Sequence, residues 1–171
     1  MNTASEKKSS KLKSYWPLLA VMGVLALSSC SLRHNDYSEY CTFDNNAWAY
    51  DSVLTFTPEL KDDSARGSLE IALRHTNAYP YSNIFLEISY PVECSPDSVC
   101  VKYDTIEVEL SDVYGKWYGK GSRLSYQLRK PLASGVTLYN KKPVQVRHLM
   151  RADTLREIEQ VGLFFTEYGR P

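Results

Sequence analysis

Histidine is scarce in this sequence, and the motifs that mark most enzyme sites are missing. Only three histidines occur, at His34, His75 and His148. No G-x-S-x-G segment is present to place a nucleophilic serine on a tight strand-to-helix turn. A serine or cysteine hydrolase needs a nucleophile, a base and an orienting acid in contact, and the sequence offers no such set. We therefore expect a protein that is not an enzyme and has no catalytic residues.

A glycine-rich segment suggests ligand binding, but it does not have the spacing of a phosphate-binding loop. Residues 114–122 read Y-G-K-W-Y-G-K-G-S. A P-loop requires G-x-x-x-x-G-K-[ST], whereas Gly115 and Gly119 are one position too close and a further glycine follows the lysine. The segment also lies between two stretches with strand periodicity. It predicts a glycine-rich β-connection in which Trp117 packs its ring against the fold, with no nucleotide partner.

Carboxylates are present in pairs, but their context favours solvated surfaces. Asp62 and Asp63 precede Ser64 in a turn-like segment that lacks the ligand spacing of a calcium loop. Glu107 and Glu109 alternate with apolar residues and so share the outward face of one strand, the usual place for charge. Glycoside hydrolysis needs two carboxyl groups on either side of a sugar. We expect neither a metal site nor a glycosidase.

The first thirty residues have the pattern of an export signal. Four lysines and one glutamate lie in residues 1–14, and the apolar run from Trp16 to Leu27 follows directly. That run is short for a transmembrane span. It ends in L-S-S-C, which looks like the lipobox of bacterial lipoproteins. We predict a signal peptide over residues 1–29 and acylation of Cys30, whose acyl chains would make the membrane a partner.

The chain that would remain after cleavage is mildly acidic. Removing residues 1–29 removes four of the 20 basic and one of the 20 acidic side chains, which leaves a net charge of −3. No basic block remains, so we expect no nucleic-acid partner. Residues 30–46 are polar with scattered aromatics and predict an acylated tether. Residues 47–171 are long enough for one domain with a real core.

Three cysteines remain beside Cys30. Cys94 and Cys100 flank the turn-like segment S-P-D-S-V, and an exported chain meets an oxidising compartment. We therefore predict a Cys94–Cys100 disulfide across that turn. Cys41 is then left over, either buried or free. A metal site built from Cys41, Cys94 and Cys100 is disfavoured because there is no C-x-x-C spacing and no nearby histidine.

Alternation with period two dominates the chain beyond residue 47. Such alternation places one side of each strand on a core and the other in water. Seven or eight short strands at this spacing predict an all-β fold, an antiparallel β-sandwich. Val101 and Tyr103 are out of phase with Ile106 and Val108, which predicts a bulge near Asp104-Thr105. The alternating runs lie at 69–74, 84–90, 101–103, 106–110, 124–128, 144–148 and 161–165.

One segment has helical character. In residues 153–159, Asp153 is a suitable N-cap, and Leu155 and Ile158 are spaced three residues apart. We predict one short helix here, joining two late strands.

Three segments stand out, with Trp48 and Asp51 before them: L-R-H-T-N-A-Y-P-Y-S-N-I at 73–84, D-V-Y-G-K-W-Y-G-K-G at 112–121 and H-L-M-R-A-D-T-L-R-E-I-E-Q-V-G at 148–162. Together they resemble the gliding-motility lipoprotein H (GldH) family of Bacteroidetes. The resemblance covers essentially the whole chain after Cys30. It implies an outer-membrane lipoprotein on the periplasmic face that works with other envelope lipoproteins of the gliding and type IX secretion machinery. It carries over no catalytic residue and no cofactor.

The remaining hypothesis from the residues is a tethered scaffold that binds protein. Acyl anchoring raises the effective concentration of a protein for its membrane neighbours. Tyrosine and tryptophan are favoured in the cores of protein interfaces. The candidate contact residues are Tyr79, Tyr81, Phe85, Trp117 and Tyr118.

A glycan-binding module is the alternative. Sandwich domains often bind glycans through exposed aromatic rings, and twelve of the 13 tyrosines lie beyond the predicted signal peptide. Trp48, Tyr50, Tyr114 and Tyr118 are candidates for such a platform. Tyrosines also populate strand faces for structural reasons, so the composition leaves both functions open.

Overall fold

The computed structural model describes residues 35–95, 98–122 and 124–169, and in these ranges the fold is all-β, as predicted. Every strand pairing there is antiparallel. The predicted signal peptide and Cys30 lie outside the described residues. The strands of the described ranges are β1 (Tyr37–Thr42), β2 (Ala47–Ala49), β3 (Leu54–Phe56), β4 (Ser64–Thr76), β5 (Asn83–Ser95), β6 (Ser98–Glu109), β7 (Lys120–Gly121), β8 (Ser125–Tyr139), β9 (Val144–His148), β10 (Thr154–Arg156) and β11 (Ile158–Glu167).

Two larger sheets form a sandwich-like arrangement. Sheet A has the order β1-β11-β4-β8-β7, and sheet C has the order β3-β9-β5-β6. A small sheet B pairs β10 with β2. The eleven strands of the described residues exceed the predicted seven or eight. Of the extra strands, β2, β3, β7 and β10 have only two or three residues, too few to show a period of two, and β1 is too polar to show one.

The core between the two sheets follows directly from the alternation. Leu69, Ile71 and Leu73 of β4 point inward from sheet A, and Leu86 and Ile88 of β5 point inward from sheet C; all five are at most 1% exposed. Each such side chain contributes about 1.5–3 kcal/mol on burial. Strands β9 and β11 complete the same cluster.

The tether prediction was wrong for part of residues 30–46. Residues 37–42 form β1, which pairs along its whole length with β11, from Tyr37 opposite Phe165 to Thr42 opposite Gln160. Asn35 is also buried, and its backbone N–H donates to Glu167 at 2.9 Å. The folded region therefore includes residues that were predicted to be tether. The prediction failed because polar residues in an edge strand have the same composition as a linker.

The predicted helix at 153–159 was also wrong. Residues 154–156 form β10, opposite β2, and β11 begins at Ile158. Glu157 lies between them with φ +71°, and this left-handed residue reverses the direction of the next side chain. Leu155 and Ile158 can thus both point into the core although their backbone is extended. Their spacing of three residues therefore resembles that of a helix without being one.

Strand β6 has no bulge at Asp104-Thr105, contrary to the prediction. Its pairing with β5 is continuous there, and the register shifts instead between Glu93 and Ser95. Val101 and Tyr103 consequently face outward, at 56% and 65% exposure. In the described ranges, no helix has the length and apolar character to cross a bilayer.

Candidate functional site

The loop between β6 and β7 is held as a tight hairpin that presents Trp117. Ser111 and Trp117 form an antiparallel bridge across it. The carboxylate Oδ1 of Asp112 accepts from the N–H groups of Tyr114 (2.9 Å) and Lys116 (2.8 Å), an Asx-type turn. Gly115 occupies the left-handed position that this turn requires, with φ +81°. The glycine-rich segment is therefore a β-connection.

The second glycine of the segment brings the loop close to β8. Gly119 has φ +88°, and a Cβ atom placed on it would lie 2.2 Å from the carbonyl oxygen of Gln127. No other residue fits this position without moving the backbone. The approach places Trp117 beside the start of β8.

Five rings, which we call the aromatic cluster, meet at this end of the sandwich: His75, Tyr79, Tyr81, Trp117 and Tyr126. His75 is central, with its ring centroid 4.6 Å from that of Trp117, 5.6 Å from Tyr79 and 6.0 Å from Tyr126. Tyr79 extends the cluster to Tyr81 at 5.7 Å in an edge-to-face arrangement. Ring pairs at these separations add to the stabilisation that comes from buried area.

His75 supports the cluster but is not accessible to a ligand. It is completely buried, and its Nδ1–H donates to the carbonyl oxygen of Thr76 at 2.8 Å. Among the described residues, Nε2 has no hydrogen-bond partner. Burial lowers the pKa of His75, so the ring is neutral at pH 7. The site therefore presents a rigid aromatic surface rather than a proton-transfer group.

Trp117 is held at the surface by a side chain from another loop. Its indole Nε1–H donates to Oδ1 of Asn77 at 2.9 Å, and the N–H of Asn77 donates to the carbonyl of Leu124 at 3.0 Å. Trp117 is only partly buried. The ring is thus fixed in orientation while part of its surface remains open to solvent.

Charged and polar groups border the cluster. Arg74 and Glu159 form an ion pair of 2.9 Å, and the hydroxyl of Ser125 donates to the same carboxylate at 2.5 Å. The hydroxyl of Thr76 donates to Glu157. An aromatic centre with a polar rim is the arrangement found in many protein interfaces.

The structure gathers three of the five predicted contact residues. Tyr79 and Tyr81 join Trp117, although Tyr79 is 3% exposed and Tyr81 40%. Tyr118 follows Trp117 in the same loop and is 40% exposed. Phe85 lies on β5, where its N–H approaches the sulfur of Met150 at 3.4 Å.

Sequence reasoning missed three members or supports of the site. They are His75, Tyr126 and Asn77. The alternation of Leu69, Ile71 and Leu73 continues to His75 and could have shown that it points inward, but nothing in the sequence shows which rings it meets.

Trp48, a candidate for the predicted glycan platform, is not accessible to a ligand. Trp48 is completely buried, stacks on Phe43 at 5.2 Å and meets His148 edge-on at 5.2 Å. A sugar cannot stack on this ring. Tyr50 and Tyr114 are exposed at 50% and 94%.

The cysteines form no ligand set. A disulfide joins Cys94 and Cys100, whose Cα atoms are 5.8 Å apart. Cys41 is free and half-buried on β1, and burial raises the pKa of its thiol. Within the described ranges, no group of three or more histidine, cysteine or acidic side chains is arranged to hold a metal ion.

Comparison with known proteins gives a family and two relatives. The family model described as "GldH lipoprotein" matches residues 35–164. The chain is 29% identical over 103 residues to "Gliding motility lipoprotein GldH" of Flavobacterium johnsoniae, covering 60% of this chain and 61% of that protein. It is 31% identical over 103 residues to "Gliding motility lipoprotein GldH homolog" of Christiangramia forsetii, covering 59% and 58%. The matches span about three fifths of the length of each relative.

A solved structure, dimeric latent PorU from Porphyromonas gingivalis, aligns with 80% of this chain and 13% of that one. The identity is 9% and the TM-score is 0.35. At this level the likeness carries no argument about function.

Proposed function

Because the chain belongs to the GldH lipoprotein family, we propose that it is an acylated, non-catalytic envelope protein that binds and stabilises partner proteins of the gliding motility and type IX secretion machinery. The names of both relatives support the link to gliding motility. The L-S-S-C segment ending at Cys30 supports acylation. We further propose an outer-membrane location on the periplasmic face.

The observation that carries the binding function is the partly exposed, fixed ring of Trp117. The buried rings of His75 and Tyr79 support it from below, and Asn77 holds its indole N–H. A ring that is already ordered loses little conformational entropy on binding, so it is suited to be an energetic hot spot. Tyr81 and Tyr118 widen the contact surface.

Site-specific photocrosslinking in cells tests this function. A photoreactive phenylalanine derivative replaces Tyr81 or Tyr118 in the full chain, each 40% exposed, and Tyr168, 45% exposed near the end of β11, serves as the matched control. We expect crosslinks to the same envelope protein from positions 81 and 118 and fewer from 168. Equal crosslinking from all three positions would contradict a contact surface at the aromatic cluster.

A second test uses partner abundance. Trp117→Ala should lower the amount of the crosslinked partner in the envelope, as deletion of the gene should. An unchanged partner level in the deletion strain would refute the stabilising function. Cys30→Ser should release the protein from the membrane fraction if acylation anchors it.

A further inference from the structure

Strand β6 is a long edge strand of sheet C. It pairs with β5 from Asn83 opposite Glu109 to Ser95 opposite Ser98. On its other side, no strand of the described residues pairs with it. Its outer row of backbone N–H and C=O groups is thus available to another strand.

The outward side chains of β6 divide the strand into two halves. Val99, Val101 and Tyr103 are 47%, 56% and 65% exposed. Glu107 and Glu109 follow on the same face. Soluble proteins usually protect such an edge with charge, and only the second half of β6 has outward charges. The first half presents an uninterrupted apolar row.

Charges on the other face of β6 can also protect the edge, but those of Lys102 and Asp104, which are 52% and 35% exposed, neutralise each other. The ammonium of Lys102 lies 2.9 Å from the carboxylate of Asp104. The hydroxyl of Tyr90 donates to the same carboxylate at 2.5 Å and accepts from Lys102 at 3.2 Å. This local set leaves no net charge to repel a neighbouring strand.

The order of residues in β6 is complementary to itself. In an antiparallel pair related by a two-fold axis, one residue faces itself, and residues equally far from it face each other. With Val101 on the axis, Val99 faces Tyr103 of the second copy, and the whole outer row is apolar. Such pairs of aromatic and β-branched side chains stabilise sheets.

Neighbouring registers are worse. With Lys102 or Asp104 on the axis, like charges face each other across the pair. With Tyr103 on the axis, Lys102 faces Asp104, but Val101 faces Thr105 and Val99 faces Glu107, so the apolar row is interrupted. With Cys100 on the axis, Val99 faces Val101, but Tyr103 has no partner within residues 98–104. With Val101 on the axis, Lys102 faces Cys100 of the second copy and Asp104 faces Ser98, so no like charges are opposed.

We propose that two copies of this chain associate through residues 98–104 of β6, antiparallel and centred on Val101. The two four-stranded sheets then form one continuous sheet across the two-fold axis. The surface is separate from the aromatic cluster, so this association leaves Trp117 open to a different partner.

Cysteine crosslinking of the full chain in its own membrane tests the register. Residues directly opposite in an antiparallel pair have Cα atoms about 4.5–5.5 Å apart, within the range of a disulfide. Val101→Cys should therefore give a crosslinked dimer under mild oxidation. Val99→Cys and Tyr103→Cys should crosslink each other when two tagged chains are co-expressed, and neither should do so strongly alone. Glu107→Cys, on the same face of the same strand, is the matched control.

A second measurement uses differently tagged full chains extracted in detergent. Val101→Lys puts two like charges on the axis and should weaken dimer formation at least about 10-fold. Val101→Thr, similar in shape, should retain it, and circular dichroism should show that both variants fold. The proposal is overturned if Val101→Cys stays monomeric or crosslinks to another protein. It is also overturned if Tyr103→Cys alone crosslinks as well as Val101→Cys, or if Val101→Lys dimerises normally.

Discussion

His75 and His148 are both completely buried, and both contact a tryptophan and a tyrosine, but their surroundings differ. His148 meets Trp48 at 5.2 Å and Tyr50 at 5.5 Å. Trp48 is itself fully buried, whereas Trp117 beside His75 is partly exposed. The same residue types thus build a closed core at one place and an open surface at the other.

The hydrogen bonds of the two indoles show how this difference arises. Nε1 of Trp48 donates to the carbonyl of Ser52, four residues away, at 2.9 Å. Nε1 of Trp117 donates to Asn77, forty residues away, at the same distance. The first bond closes a local turn over the ring, whereas the second ties two loops together and leaves one side of the ring uncovered. Trp48 therefore contributes to stability, whereas the uncovered side of Trp117 is the reason why the proposed contact surface is centred on it.

The largest expected effect is on stability. Trp48→Ala should lower the free energy of unfolding by about 3–5 kcal/mol, because the full buried ring is lost. Trp117→Ala should cost only about 1–2 kcal/mol, since part of its ring is already in water. Urea unfolding of both variants checks this comparison. Equal losses would mean that the two rings are structurally equivalent.

The second largest expected effect is a pH dependence of the free energy of unfolding, to which His75 and His148 both contribute. Burial lowers the pKa of His75 and of His148 below the ordinary value of 6.5. The unfolded chain therefore takes up protons first as the pH falls. The two histidines therefore do not lower the free energy of unfolding well above pH 6.5. Below that pH it decreases, by at most about 1.4 kcal/mol per pH unit for each histidine.

Unfolding curves between pH 7.5 and 5 measure this slope. His75→Gln and His148→Gln should each remove one part of the slope, whatever their cost at pH 7.5. A slope that both variants leave unchanged would show that neither imidazole is protonated on unfolding in this range.

The smallest effect should follow from Asn77→Ala. This residue is exposed, so loss of its bond to Trp117 should cost about 0.5–1 kcal/mol of stability. The yield of photocrosslinks from position 118 should fall by a larger fraction than the free energy of unfolding, because the indole of Trp117 loses its fixed orientation. Asn77→Asp keeps an acceptor oxygen and is the control; a loss of crosslinking as large as that of Asn77→Ala would argue against this bond as the cause.

Sequence alternation was sufficient to predict the long strands but not the short ones. The alternation of Leu69, Ile71 and Leu73 predicted the inward face of β4, and the same spacing extends to His75, which the prediction did not use. Strands β1, β2 and β10 gain their order from neighbours far along the chain, such as β11 for β1. Periodicity within a segment has no information about such neighbours.

What the sequence could not predict about the candidate site has the same physical origin. Tyr79, Tyr81 and Trp117 were identified as aromatic candidates, but their meeting depends on how two loops fold over β4. The positive φ of Glu157 turned an apparent helix into two strands. In β6, the pairing with β5 fixed which side chains face out, and a bulge was unnecessary.

The position of β11 in sheet A also constrains when the protein can fold. This strand is the last of the described chain, yet it lies between β1 and β4. Until β11 leaves the ribosome, β1 has no neighbour in sheet A with which to pair. Pairings between such distant segments form slowly. Sheet A can therefore be completed only after the ten residues of β11 have been synthesised.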